Sequence, residues 1–183
     1  CNQYRCRNFK IHHTKFGFKN PYLKSEVQKK KLVDIFKMMI TDRPKPRYQV
    51  SKKIDIDELD KNILYGKNFI TWIGHSTMLL HLDGKVILTD PIFSDRCSPV
   101  QFAGPKRYTS PSIDIKSLPR IDIVLISHNH YDHLDKNTIK ALKNDASIFW
   151  YVPLGLEQWF KALGVENVFE LDWFDERNFE NVN

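Results

Sequence analysis

Ile126-Ser-His-Asn-His-Tyr-Asp-His-Leu-Asp135 places four residues able to ligate a transition metal, His128, His130, Asp132 and His133, within six positions. They follow directly on the largely apolar run 121–126, which reads as a buried strand. Residues i and i+2 of an extended segment share a face, so His128 and His130 are expected to point one way. Asp132 and His133 come after the chain begins to turn and are expected to face a second centre. Neutral imidazoles with one carboxylate suit zinc, with iron or manganese as alternatives. A solitary histidine in such a loop reads as a solvated side chain; four ligand types at this spacing between a strand and a helix do not.

Outward from this stretch, the chain carries Trp72-Ile-Gly-His-Ser-Thr77, Leu88-Thr-Asp-Pro-Ile-Phe93 and Gly104-Pro-Lys-Arg107. The H-x-H-x-D-H spacing resembles the signature of the metallo-β-lactamase superfamily. The flanking words resemble its N-acylphosphatidylethanolamine-hydrolysing phospholipase D branch, over about residues 69–175. The resemblance implies an α/β (α+β) fold, an αββα sandwich of two β-rich halves, of which this chain supplies about the first.

Length and composition agree with a folded domain. The 183 residues are 42% hydrophobic and 13% aromatic, values of a globular protein rather than a disordered one. No apolar run approaches the roughly 18 residues that a membrane span needs. Charge is unevenly spread: residues 1–53 carry a net +12, which leaves a net −6 on the remainder of a chain whose total is +6. A basic segment of that strength fits a polyanion, either an anionic membrane surface or a nucleic acid, and equally a solvated extension. The three cysteines, Cys1, Cys6 and Cys97, form no zinc-finger or disulfide framework. Cys1 in first position fits a lipid-modified lipoprotein terminus, or simply a numbering boundary. The compartment itself is not legible.

The chain divides into a basic extension, residues 1–53, and the first part of a metallo-β-lactamase-like domain, residues 54–183. Within the extension, Glu26–Ile40 carries Val27, Leu32, Ile35, Phe36, Met39 and Ile40 at near-helical spacing. Such a helix packs on a core or lies on a membrane, and Pro44 and Pro46 end it. Beyond Asn68, Phe69–Ile73 and Met78–Leu82 read as strands, Asp83-Gly84 as a tight turn and Val86–Thr89 as the returning strand. The five prolines of residues 91–120 mark a long loop, of a length that is usually functional. Asp135 caps a helix over Lys136–Lys143. Ser147–Val152 and Val168–Leu171 read as strands, and Leu156–Leu163 as a helix stopped by Gly164.

By the resemblance, His128 and His130 bind one zinc, and Asp132 and His133 the other. The two ions share a hydroxide that attacks phosphorus or a carbonyl carbon, and Asp132 orients that nucleophile. Asp90 then supports the metal loop from behind the ligands, although a turn cap is the plain alternative. His75 reaches the site or makes a structural hydrogen bond. Lys106 and Arg107 meet a substrate phosphate or are simply solvated. His81 reads as a surface strand residue. No histidine follows His133, so further ligands are expected from a longer chain or from another one. The function implied is a zinc-dependent phosphodiesterase acting on a phospholipid, with peripheral membrane contact through the basic segment. A lactonase or a nuclease of the same fold, or a non-catalytic binding module, are the alternatives.

Overall fold

The computed structural model describes residues 10–23, 47 and 49–179. The helix expected over Glu26–Ile40, with Pro44, Pro46, Cys1 and Cys6, lies outside them. The chain divides into two compact units, Cys1–Lys45 and Pro46–Asn183. In the first, strands β1 (His13–Thr14) and β2 (Gly17–Phe18) make a small antiparallel hairpin, closed by the Thr14 hydroxyl donating to the Gly17 carbonyl at 2.8 Å. Among the described residues no helix is long and apolar enough to cross a membrane.

The second unit opens with α1 (Ile56–Leu64), an element the sequence reading did not anticipate. Asp55 caps it by accepting from the Glu58 N–H, and Asp57 and Glu58 add negative charge to its first turn. Strands β3 (Phe69–Gly74), β4 (Thr77–Leu82) and β5 (Lys85–Thr89) then form an antiparallel meander. Asp83 and Gly84 make the β4–β5 turn with φ of 48° and 75°, the left-handed pair that a two-residue hairpin requires.

From β5 onward the pairing is parallel. Strands β6 (Ile123–Leu125), β7 (Phe149–Pro153) and β8 (Val168–Leu171) follow one another across a sheet of order β3-β4-β5-β6-β7-β8. Helices α2 (Lys136–Leu142) and α3 (Glu157–Ala162) make the crossovers that parallel neighbours need. The β5-to-β6 connection has no such α-helix. Residues 90–122 run there as the expected long loop, with one short 3-10 turn at Ile115–Ser117. Because β5 and β6 are parallel, with Thr89 opposite Leu125, their carboxyl ends emerge side by side. Open sheets present ligand sites at such ends.

The core forms on the face of the sheet that the helices cover. Leu79, Val86, Leu88, Val124, Trp150, Val152 and Val168 project from the strands to meet Leu59, Ile139 and Phe160 from the helices. His81 belongs to this face: it is 2% exposed, its Nδ1 lies 2.7 Å from the Lys67 carbonyl and its ring packs on Phe69. The surface position expected for His81 is therefore wrong. Met78, Leu79, Leu80 and Leu82 make β4 apolar on both faces, so a polar residue among apolar neighbours did not mark the exposed face. On the opposite face Ile70 and Trp72 are more than half exposed, with Leu82 and Leu125 over a third exposed. Part of that face is covered by the last described residues, where Arg177 stacks on Phe169 at 3.7 Å and Phe179 meets Phe149 edge-on at 4.8 Å. A sheet with helices on one face and exposed apolar side chains on the other matches half of a two-sheet sandwich.

Asp135 fastens the long loop to this frame. Its buried carboxylate caps α2 through the Asn137 N–H and accepts the Thr138 hydroxyl at 2.6 Å. It also takes the backbone N–H groups of Phe93 and Ser94 and the Ser94 hydroxyl. Asp135→Ala would leave several buried donors unsatisfied at once, and a loss of about 3 kcal/mol or more is expected. Urea unfolding measures it, and a change under about 1 kcal/mol would show that the loop is held by other contacts.

Candidate metal centre

The site lies where β3 turns into β4 and where β5 and β6 end. After β6 the chain does not continue as a strand: the His130 carbonyl accepts the N–H groups of His133 at 3.0 Å and Leu134 at 2.8 Å. This tight turn swings Asp132 and His133 back toward His128. Ring centroids of His128 and His130 are 4.6 Å apart, and those of His128 and His133 are 4.0 Å apart. The expected separation into two pairs facing different ways is thus softened, since the His128 ring stands against both other imidazoles.

His75 joins the cluster from the β3–β4 turn. Its Nε2 lies 3.0 Å from Asp132 Oδ2, and His133 Nε2 lies 3.6 Å from the same oxygen. Donor atoms of His75, Asp132 and His133 all fall within 4.8 Å of one another. His75 adopts φ of 51°, a left-handed conformation that a non-glycine residue takes at some cost. The Trp72 indole N–H, donating to the His75 carbonyl at 2.9 Å, helps to hold it there.

Asp90 is the hub behind these side chains. Its φ is 37°, again left-handed, and it is 7% exposed. Its backbone is held from both sides, by its N–H donating to Leu125 and by the Thr77 hydroxyl donating to its carbonyl. The carboxylate lies 2.9 Å from His133 Nδ1 through Oδ2, accepts the Ser127 N–H at 2.7 Å through Oδ1 and accepts the Ser127 hydroxyl at 2.7 Å through Oδ2. Ser127 Oγ is in turn 2.9 Å from His128 Nδ1, and Ser76 Oγ is 3.2 Å from His133 Nδ1. Neither serine was singled out from sequence. Ser127 adjoins the motif, and that adjacency was the only signal available.

The donor set fits a divalent transition ion. With Nδ1 of His133 turned to a carboxylate, its Nε2 is left available to a ligand, an arrangement common behind metal-bound histidines. Burial pushes the His128 imidazole below its ordinary pKa, helped by His133 and His130 and opposed by Asp90 and Asp132. Burial pushes the Asp132 carboxyl up, but the hydrogen bond from His75, its own backbone N–H and the neighbouring imidazoles outweigh it and leave the carboxyl below its ordinary value. Both shifts favour the ligating forms, neutral imidazole and carboxylate.

The long loop forms one rim. Cys97 N–H bonds to Pro105 O and Arg107 N–H to Asp95 O, which closes a short lobe. Lys106 is exposed there. Arg107 is half-buried and donates through Nη2 to the Ile92 carbonyl, so the exposure expected of it is not found. A groove of about 410 Å³ runs beside the histidine loop, lined by Pro99, Tyr131, Leu134, Lys136, Leu156 and Trp159.

Residues 69–182 match the family model described as a beta-lactamase superfamily domain, and the chain belongs to that superfamily. Among curated relatives, it is 35% identical over 161 residues to "N-acyl-phosphatidylethanolamine-hydrolyzing phospholipase D 1" of Caenorhabditis elegans, which covers 81% of this chain and 45% of that protein. It is 40% identical over 105 residues to the mitochondrial N-acyl-phosphatidylethanolamine-hydrolyzing phospholipase D of Saccharomyces cerevisiae, covering 57% of this chain and 22% of that one. The chain therefore spans less than half the length of either relative. A solved structure of a possible metal-dependent hydrolase from Veillonella parvula aligns with a TM-score of 0.49 at 20% identity, over 61% of this chain and 44% of that one.

The direction of the His128 shift gives a direct measurement. In metal-free protein His128 is expected to titrate below the ordinary imidazole value of about 6.5, and so to be largely neutral at pH 7. Histidine-selective NMR titration reads this, and a midpoint at or above the ordinary value would contradict the burial described for the ring.

Proposed function

We propose that this chain is part of a zinc-dependent phosphodiesterase of the kind that hydrolyses N-acylphosphatidylethanolamines. The observation that carries the reading is the convergence of His128, His130, Asp132, His133 and His75 at the carboxyl ends of β5 and β6 and at the β3–β4 turn. The 35% identity over 161 residues to a protein named for that activity supports the substrate class.

His128 and His130 would hold one ion and Asp132 with His133 the other, with the remaining ligands supplied by the rest of the full-length protein. When bound, the ions supply Lewis acidity that polarises a phosphoryl oxygen and acidifies water. The chain's own residues do the positioning. Asp90 holds the His133 ring through Nδ1 and holds the backbone at Ser127. His75 holds one oxygen of Asp132, which leaves the other to orient water. Lys136 and the apolar walls of the groove suit a phosphate with acyl chains beside it. Phe102 is 86% exposed on the neighbouring lobe, close in sequence to Lys106. An apolar tip with an adjacent cation is what a phospholipid surface accepts. The basic N-terminal residues would add electrostatic attraction to the same surface.

Full-length protein supplied with zinc is expected to release phosphatidic acid from an N-acylphosphatidylethanolamine, and His130→Ala should reduce turnover by at least 100-fold. Chelation should abolish it and zinc should restore it. Retained turnover in His130→Ala, or turnover insensitive to chelation, would sink the assignment. Bound zinc without lipid turnover would redirect it to another hydrolase of the same fold, such as a lactonase or nuclease.

A further inference from the structure

We propose that Ser127 is a positioning residue: its hydroxyl fixes the tautomer of His128, so that Nε2 of that ring is presented as the ligating atom. The inference rests on the reading above for its use of the ring, but the tautomer itself is a property of this chain alone.

The argument is one of hydrogen counting. Ser127 Oγ lies 2.7 Å from Asp90 Oδ2 and 2.9 Å from His128 Nδ1. A serine hydroxyl has one hydrogen to give and lone pairs to receive, whereas a carboxylate can only accept. The short contact to Asp90 needs that hydrogen, since two oxygens without one between them would repel. Nothing is then left to donate to His128, so Nδ1 must carry the proton and Nε2 must be the bare nitrogen. The backbone N–H of Ser127 donates to Asp90 Oδ1 at 2.7 Å, which fixes the residue's backbone against the carboxylate and keeps its hydroxyl within reach of Oδ2.

The same oxygen, Asp90 Oδ2, lies 2.9 Å from His133 Nδ1. One carboxylate thus orients two histidines of the cluster, His133 directly and His128 through the serine. The direct serine route to His133 is poor, at 3.5 Å. This asymmetry separates the two residues experimentally. Loss of the Ser127 hydroxyl should release His128 and spare His133, whereas loss of the Asp90 carboxylate should release both. An unanchored neutral imidazole divides between two tautomers and rotates about its ring bond. Partners of this kind are typically worth about 10–100-fold in metal affinity.

Two measurements on the full-length protein test it. Long-range ¹H–¹⁵N correlation NMR of histidine-labelled, metal-free protein above pH 7 should show His128 protonated on Nδ1. In Ser127→Ala the resonances should move toward a tautomer mixture, while His133 stays as in wild type and Ser127→Thr preserves the wild-type pattern. Cobalt(II) titration, followed by visible absorption, should show one of two binding steps weakened by about 10–100-fold in Ser127→Ala, both weakened in Asp90→Ala, and neither in Ser127→Thr. An unchanged His128 tautomer in Ser127→Ala would overturn the inference, as would a His128 already protonated on Nε2 in wild type. If wild type binds no cobalt, the metal reading above fails while the NMR arm still decides the role of Ser127.

Discussion

The carboxylate of Asp90 is the contact on which the site depends. It stands at the end of β5 in a left-handed conformation and grips the first residue of the histidine loop, Ser127, by both backbone and side chain. Without that grip the parallel β5–β6 pair would still end side by side, but the loop beyond Ile126 would have no fixed direction. The same group sets the His133 ring. The cost of its strained backbone is offset by bonds from Leu125 and Thr77, one strand on either side.

Around this hub the fold works as a set of clamps. The β3–β4 turn supplies His75 and Ser76, the β5 end supplies Asp90, and α2 begins with Asp135, which ties residues 93 and 94 down. Each clamp lies at the end of a strand or helix, and His128, His130, Asp132 and His133 lie on the turn that follows β6. Function-bearing loops are commonly arranged in this way, with precision borrowed from the scaffold. Non-glycine residues in left-handed backbone at two of the clamps, His75 and Asp90, mark where local geometry yields to the site.

Much of this was legible in the sequence because the signals were local. The Asp83-Gly84 turn and the Asp135 cap followed from turn chemistry and capping, strand β8 was read over the residues it occupies, and the boundaries agree within a residue or two. Spacing alone singled out His128, His130, Asp132 and His133, whose side chains the fold gathers at the end of β6. What was hidden depended on contacts distant in the chain. Helix α1 is only nine residues long, and its apolar positions, Ile56, Leu59 and Ile63, were too few to stand out without the sheet they pack against. His81 lies in a strand with apolar residues on both faces, so periodicity could not choose its side. Ser127 and Ser76 are ordinary polar residues until Asp90 and His133 are brought beside them.

The long connection between β5 and β6 bears on how the chain acquires its site. Strands β3 to β5 are neighbours in sequence and can pair through short turns, whereas Asp90 and Ser127 are 37 residues apart. Closing a flexible loop of that length costs about 3 kcal/mol of chain entropy before any contact rewards it. Pairings of this separation are slow relative to hairpins. The meander with its left-handed turns is therefore expected to exist before the histidine loop does. The cluster becomes competent only when these long-range pairings have closed.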